Sequence, residues 1–283
     1  MPIKFKALNY IYDEGMPFQH TALKDINLEI KENKITAIIG ETGSGKSTLV
    51  QHLNGLFLPS AGELEILDFN ITKDKHDDLK KLRENVGLVF QFSEYQLFEE
   101  TVLKDVAFGP KNFGHSEEEA IVKAKKALKM VGLDESFYEL NPLELSGGQK
   151  RRVAIAGILS IDPKVIVLDE PTAGLDPKGS KEMIELFISL NKQYGKTIIL
   201  VTHDNEIVYK YADEVVLVSK GEIAYSGDTL AFFENNEIID KYHILLPMIL
   251  NFKNELIKNG FNIKENSRDI KSIISDVRGQ INE

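Results

Sequence analysis

The chain contains no cysteine, so neither a disulfide framework nor a thiolate metal site is open to it, a lack that suits a cytoplasmic setting. Basic residues are in deficit. Lysine and arginine total 34 against 44 aspartates and glutamates, a net charge of −10. That balance argues against non-specific nucleic-acid binding, which basic surface drives. Long apolar runs are missing too: Val165–Leu168 and Ile244–Leu250 fall far short of the ~20 residues that span a bilayer. The chain is expected not to cross a membrane, which leaves it free to dock on something that does. The opening MPIKFKALNY has no apolar stretch of the kind a secretory signal needs. No internal repeat and no low-complexity tract is visible. What remains, 283 residues with 42% hydrophobic and 28% charged content, has the composition of a folded domain with room for an appendage.

What is present is organised around Ile35–Leu53, ITAIIGETGSGKSTLVQHL. A short apolar strand (Ile35, Ala37, Ile38, Ile39) runs into a glycine-rich loop and then a helix. The loop, Gly40-Glu41-Thr42-Gly43-Ser44-Gly45-Lys46-Ser47, fits G-x-x-x-x-G-K-[ST], the pattern of a P-loop. Gly40, Gly43 and Gly45 let the backbone wrap around an anion, so that N–H groups converge on phosphate oxygens. The helix beginning Lys46-Ser47-Thr48 turns its N-terminus to the same phosphates. Lys46 is placed to reach the β- and γ-phosphates of a nucleotide, and the Ser47 hydroxyl to ligate Mg²⁺.

Short strand-like pieces, KFKAL, INLEI, ITAII and ELEIL, fill residues 3 to about 72. In the aromatic segment ahead of the loop, Tyr12 is the candidate to stack on a base, with Tyr10 expected on the other side of the pleat. VGLVFQ (Val86–Gln91) reads as a buried strand ending in a polar residue. Ser116 and Glu119 form a capping box, and Gly132 closes that helix; residues of about 92–160 read as a helical insertion. LSGGQ (Leu145–Gln149) follows, then the apolar strand VIVLDE ending at Asp169-Glu170, a helix over about 179–194, and the strand Thr197–Val201 leading to His203. VVLVS and EIAYSG close the core near Gly227, and 228–283 reads as helices, with Pro247 as a start and Gly260 as a stop. Gly40, Gln91, Asp169, Glu170 and His203 all fall at carboxyl ends of strands, where open α/β sheets place their chemistry.

Each carboxyl-end residue suits a step of nucleotide hydrolysis. Asp169 can hold Mg²⁺ through water, and Glu170 can act as general base for the attacking water. Gln91 can touch both the ion and that water, and His203 can hydrogen-bond the γ-phosphate. Ser146, Gly147, Gly148 and Gln149 open a second helix with a hydroxyl and bare amides. One nucleotide does not need two such devices from one subunit; the economical reading is a dimer whose sites are shared across the interface.

Gly40–Ser47, Gln91, LSGGQ, VIVLDE, the loop Ala173–Asp176 and His203, in that order, resemble the nucleotide-binding subunit of ABC transporters over about residues 3–227. The resemblance implies an α/β P-loop NTPase: a mostly parallel core sheet, an antiparallel β subdomain and a helical subdomain within residues 1–227, then a C-terminal helical extension, 228–283, in dimer contact. It implies ATP and Mg²⁺ as ligands and ATP hydrolysis as the activity. Tyr12 would stack on adenine, and Lys46 with the loop amides would hold the phosphates. Ser47, Gln91 and Asp169 would position Mg²⁺, Glu170 would activate water, and His203 would sense the γ-phosphate. Ser146, Gly147 and Gly148 would complete the partner's site, and Asp176 would lie across the dimer interface.

Phe92–Gly114, FSEYQLFEETVLKDVAFGPKNFG, together with YDEGMPF and TGSGKSTLVQHLNGL, resembles energy-coupling factor ATPases, and the second of their pair more than the first. These power importers of vitamins or metal ions. The implied partners are a related ATPase in a heterodimer, a multi-helix transmembrane coupling subunit and a small substrate-binding membrane subunit, with the chain peripheral on the cytoplasmic face of the cell membrane and no nucleic acid involved. The segment after Gln91 would form the coupling groove, with Glu94, Glu99 and Glu100 as partners for arginines, Tyr95, Leu97 and Phe98 as apolar walls, and Gln96 among them. The alternative is the ATPase of an ordinary ABC importer or exporter.

Overall fold

The computed structural model describes residues 3–281; the outermost residues of the two expected segments, 1–2 and 282–283, lie outside the described residues. Two sheets share the work of building the core. Strands β1 (Ile3–Tyr12) and β2 (His20–Ile30) pair as a long antiparallel hairpin. Then come β3 (Ile35–Ile39), α1 (Lys46–His52), β4 (Ala61–Ile66), β5 (Phe69–Thr72) and α2 (Leu79–Asn85). The first sheet has the order β2-β1-β4-β5 and is antiparallel throughout. Phe5 lies opposite both Leu28 of β2 and Leu64 of β4, which aligns the apolar face of this sheet.

The second sheet collects β6 (Val86–Val89), β7 (Val165–Asp169), β8 (Thr197–Val201), β9 (Glu214–Ser219) and β10 (Glu222–Asp228) around β3, in the order β10-β9-β3-β8-β7-β6. All its pairings are parallel except the edge hairpin β9-β10. Alternation explains the unbroken apolar runs. Ile166, Leu168, Ile198 and Leu200 pack into one core, while Val165, Val167, Ile199 and Val201 pack into another, on the opposite face. The second core is shared with α1 and the antiparallel sheet, the first with the helices.

Between β6 and β7 lie a 3-10 turn at Ser93–Gln96 and helices α3 (Val102–Asn112), α4 (Glu117–Met130) and α5 (Gly147–Ile161). Both sides of the Ser116–Glu119 capping box are made, and Ala120, Ala124, Ala127 and Leu128 form the buried stripe of α4. After β7 come α6 (Pro177–Tyr194), then α7 (Asn205–Tyr211) following β8. Beyond β10 stand α8 (Thr229–Glu234), α9 (Asn236–Lys241), α10 (Met248–Lys258) and α11 (Ile270–Ile281). Pro247 is the N-cap of α10 and Gly260, at φ 91°, follows its end. Arg268 ties the last helices to the end of α7, donating to Ala212 O at 2.8 Å, and Lys253 of α10 braces the segment that follows it by donating to Glu265 O at 2.7 Å. Sequence pattern does not mark β5, α2 or α7, which have four, seven and seven residues and so too few turns for periodicity to show.

The two tyrosines of β1 depart from expectation. Tyr10 and Tyr12 stand on one side, ring centroids 4.9 Å apart and edge to face, with Tyr10 stacked on Phe57 at 4.9 Å. Residues two apart on a strand share a face, so Tyr10 belongs with Tyr12 and not opposite it.

Candidate functional site

Four of the parallel strands lie side by side in the spatial order β3-β8-β7-β6. Their carboxyl ends therefore set Gly40, His203, Asp169-Glu170 and Gln91 along one edge of the sheet. At the end of β3 the chain turns where no side chain fits. Gly40 has φ 141°, and a Cβ there would lie 2.1 Å from Val218 O. Gly45, at φ 106°, begins α1, and its Cβ would lie 2.8 Å from Ala22 O. Backbone thus presses on backbone at both glycines, and the loop between them is held in a curl.

Within that curl the Lys46 ammonium donates to Gly40 O at 2.8 Å and Glu41 O at 2.7 Å. Burial lowers its pKa, opposed by the charges of Glu170, Asp169 and Glu41. Ser44 is buried, and Ser44 O accepts from Gly221 N at 2.9 Å, anchoring the loop to the β9-β10 turn. Thr42, Gly43 and Ser47 face solvent. Thr48 is buried, its hydroxyl 3.0 Å from the Tyr12 hydroxyl, which fixes β1 against the first turn of α1.

Asp169 is buried. Burial pushes its carboxyl above the ordinary value; the Ser47 hydroxyl, by hydrogen bond, and Lys46, by charge, pull it down, while Glu170 adds to the rise. This arrangement suits a divalent cation: a buried carboxylate beside a hydroxyl, with more negative than positive charge around it. Glu170 has φ 50°, a left-handed conformation that costs a non-glycine residue energy and recurs at functional sites. Its N–H donates to Val201 O at 3.1 Å, and Ala173 N donates to its carbonyl at 3.1 Å, closing a turn. His203 Nδ1 lies 3.0 Å from both Glu170 carboxylate oxygens. A carboxylate only accepts, so Nδ1–H is the donor. Gln91 is exposed just past β6.

Lys46, Ser47, Asp169, Glu170 and His203 are therefore brought together. Ser146 is not joined to them. It caps α5 in a capping box: Gln149 N donates to its Oγ at 3.3 Å, and its own N–H donates to Gln149 Oε1 at 3.0 Å. A Cβ built at Gly147 or Gly148 meets nothing within 4 Å, so this helix start is open. Asp176 is exposed and caps α6, accepting from Gly179 N at 2.6 Å.

The segment after Gln91 differs from expectation in two places. Glu94 is not a free acceptor: Arg151 holds both its oxygens, Nε to Oε2 at 3.0 Å and Nη2 to Oε1 at 2.8 Å. Leu97 is a core residue, not a groove wall, since it packs in the cluster with Val102 and Val106. Tyr95 and Phe98 do stand out, 84% and 62% exposed, with Gln96 exposed between them. The Phe98 and Glu99 N–H groups both donate to Asp105 Oδ2 at 2.9 Å, which pins the segment to α3. Arg151 is the residue that sequence reasoning missed. Its signal was there: it shares the i, i+4, i+8 stripe of α5 with the buried Ile155 and Leu159.

Comparison with known proteins agrees with this geometry. Residues 23–173 match the ABC transporter family model. The chain is 50% identical over 266 residues to the energy-coupling factor transporter ATP-binding protein EcfA2 of Enterococcus faecalis, covering 94% of this chain and 92% of that one. It is 49% identical to the EcfA2 of Ligilactobacillus salivarius over the full length of both. Among solved structures, cbiO1 of Clostridium perfringens, part of the ABC transporter complex cbiONQ, superposes with TM-score 0.71 at 41% identity, over 89% of this chain and 98% of that one. An ATP-binding cassette solved as a dimer in a post-hydrolysis state, bound to ADP and Pi, gives TM-score 0.71 at 34% identity, over 80% and 98%.

Proposed function

This chain belongs to the ABC transporter family, among the energy-coupling factor transporter ATP-binding proteins, and on that premise we propose how its residues divide the work of an ATPase subunit. The observation that carries the reading is the meeting of Lys46, Ser47, Asp169, Glu170 and His203 at one sheet edge. The Gly40–Ser47 loop cradles the phosphates of ATP, and Lys46 exchanges its two loop carbonyls for phosphate oxygens. Tyr12 offers its ring to the adenine. Ser47, Asp169 and Gln91 would hold Mg²⁺, which when bound would supply positive charge to offset that of the phosphates.

Glu170 takes the proton from the attacking water, and His203 orients that carboxylate. With Nδ1–H spent on Glu170, a neutral His203 presents only a lone pair at Nε2. It can donate to a phosphate either as the imidazolium or after releasing Glu170, so contact with the γ-phosphate is linked to the freedom of the base. Ser146, Gly147, Gly148 and Gln149 complete the site of a second ATPase, with Asp176 at the interface. Two halves thus close over ATP and reopen after hydrolysis.

The nucleotide chemistry belongs to residues 1–227, with its helical part at about 92–160, and residues 228–283 contact the second ATPase. No helix of the described residues is long and apolar enough to cross a membrane. The chain works peripherally, at the cytoplasmic face, beneath a multi-helix coupling subunit and a small substrate-binding membrane subunit. Tyr95, Gln96, Phe98 and Glu99 form the face it presents to them. Gentle detergent purification of the tagged chain, with each partner identified by mass, tests this. A related ATPase together with those two membrane subunits is the expected set; a pair of conventional permeases would overturn the assignment of partners.

A further inference from the structure

We propose that Arg151 is a positioning residue that joins the loop after Gln91 to the turn beginning at Glu170. Its side chain is 3% exposed and that of Glu94 14%. One side of the guanidinium holds Glu94 by the two bonds already described. The remaining nitrogen, Nη1, donates to Ala173 O at 2.5 Å and Pro171 O at 3.3 Å. The Phe92 ring covers the group, its centroid 5.9 Å from Cζ.

Three segments distant in sequence thus meet on one planar group. Glu94 sits in the 3-10 turn that follows Gln91 and carries the exposed Tyr95. Ala173 ends the turn that Glu170 begins, its N–H bonded to Glu170 O at 3.1 Å. Arg151 itself lies in the second turn of α5, the helix capped by Ser146. A guanidinium fork is rigid and fixes direction on both sides, which an ammonium does not. A shift of the Ser93–Gln96 turn therefore moves the carbonyls that frame Glu170. This inference rests on the reading above, in which Glu170 activates water and the Tyr95 face meets a membrane subunit.

The test uses the ATPase assembled with its partner subunits and compares the parent with Arg151→Lys. The expected result is a kcat per folded molecule lowered at least about tenfold with the KM for ATP within about twofold. A cross-link with only a structural role would instead reduce the folded fraction and leave kcat per folded molecule unchanged. Should Arg151→Lys fail to fold, Glu94→Gln keeps the shape of the turn and weakens the same pair; the same split between kcat and KM is expected of it. Where both fold, the double variant is expected to be no worse than the more impaired single one. A kcat within about twofold of the parent in a folded variant, or losses that multiply in the double, overturns the role of Arg151. A parent assembly that hydrolyses no ATP overturns the underlying reading instead.

Discussion

Nδ1 of His203 stands 3.0 Å from both carboxylate oxygens of Glu170, so one imidazole N–H is shared across the two oxygens of the proposed base. That contact fixes the direction of the carboxylate. Glu170→Gln keeps the side chain's shape and one acceptor while removing its basicity. The variant is expected to bind ATP and to remain dimeric with it, while hydrolysis falls by roughly 10²–10⁴-fold. Phosphate release under saturating ATP, beside sedimentation with and without ATP, checks both halves. Full activity in this variant would remove Glu170 from the role of base.

Ser146 has a local task and a proposed distant one, and they separate by substitution. Its hydroxyl caps α5 through Gln149 N, a contact worth about 1 kcal/mol, and asparagine caps as well as serine. Ser146→Asn is expected to leave the thermal midpoint of the isolated chain unchanged, while ATP hydrolysis by the dimer falls because the larger amide does not fit where a hydroxyl met phosphate. Ser146→Ala is expected to lose both. Calorimetry paired with turnover distinguishes them; normal turnover in Ser146→Asn would leave the residue with its cap alone.

Tyr95 and Phe98 are exposed aromatic groups on a segment fixed from beneath by Asp105. Removing exposed apolar side chains away from any core usually changes stability by no more than about 0.5 kcal/mol. The double change Tyr95→Ser and Phe98→Ser is therefore expected to fold as the parent does, while capture of the membrane subunits falls at least about tenfold, as for aromatic anchors of an interface. Co-purification at matched expression measures it. Undiminished capture would place the coupling face elsewhere.

Much of the site was legible because its spacing is local. The loop Gly40–Ser47 is contiguous, and the strands ending at Asp169 and Val201 are apolar on both faces, so their carboxyl ends could be found without a structure. The α4 capping box and the Pro247 start were legible for the same reason. What stayed hidden depends on long-range pairing. Glu94 and Arg151 are 57 residues apart, and nothing near either names the other, so an acid that looked free for a partner proved already bound. Leu97 looked like a wall because a segment read as a groove gives no sign of which residue turns inward. The misplacement of Tyr10 was an error of pleat, not of missing information.

His52 links the stability of the fold to pH. The ring is fully buried in the last turn of α1, with Nδ1 2.7 Å from Thr48 O and Tyr10 edge-on at 4.9 Å. Burial lowers its pKa from 6.5 to about 4, the backbone bond opposing only part of the drop. Between those two values the unfolded chain takes up a proton that the folded chain refuses. Stability contributed by the neutral ring is complete above pH 6.5, falls as pH drops through this window, and falls no further below about 4. From pH 8 to pH 5 the linkage amounts to about 2 kcal/mol. His52→Met fills the same apolar space with a group that does not titrate. Urea unfolding of both proteins at the two pH values isolates the effect, because the carboxylates common to both cancel in the difference. The parent is expected to lose about 2 kcal/mol more than the variant on acidification; equal losses would mean that His52 becomes protonated where it is buried.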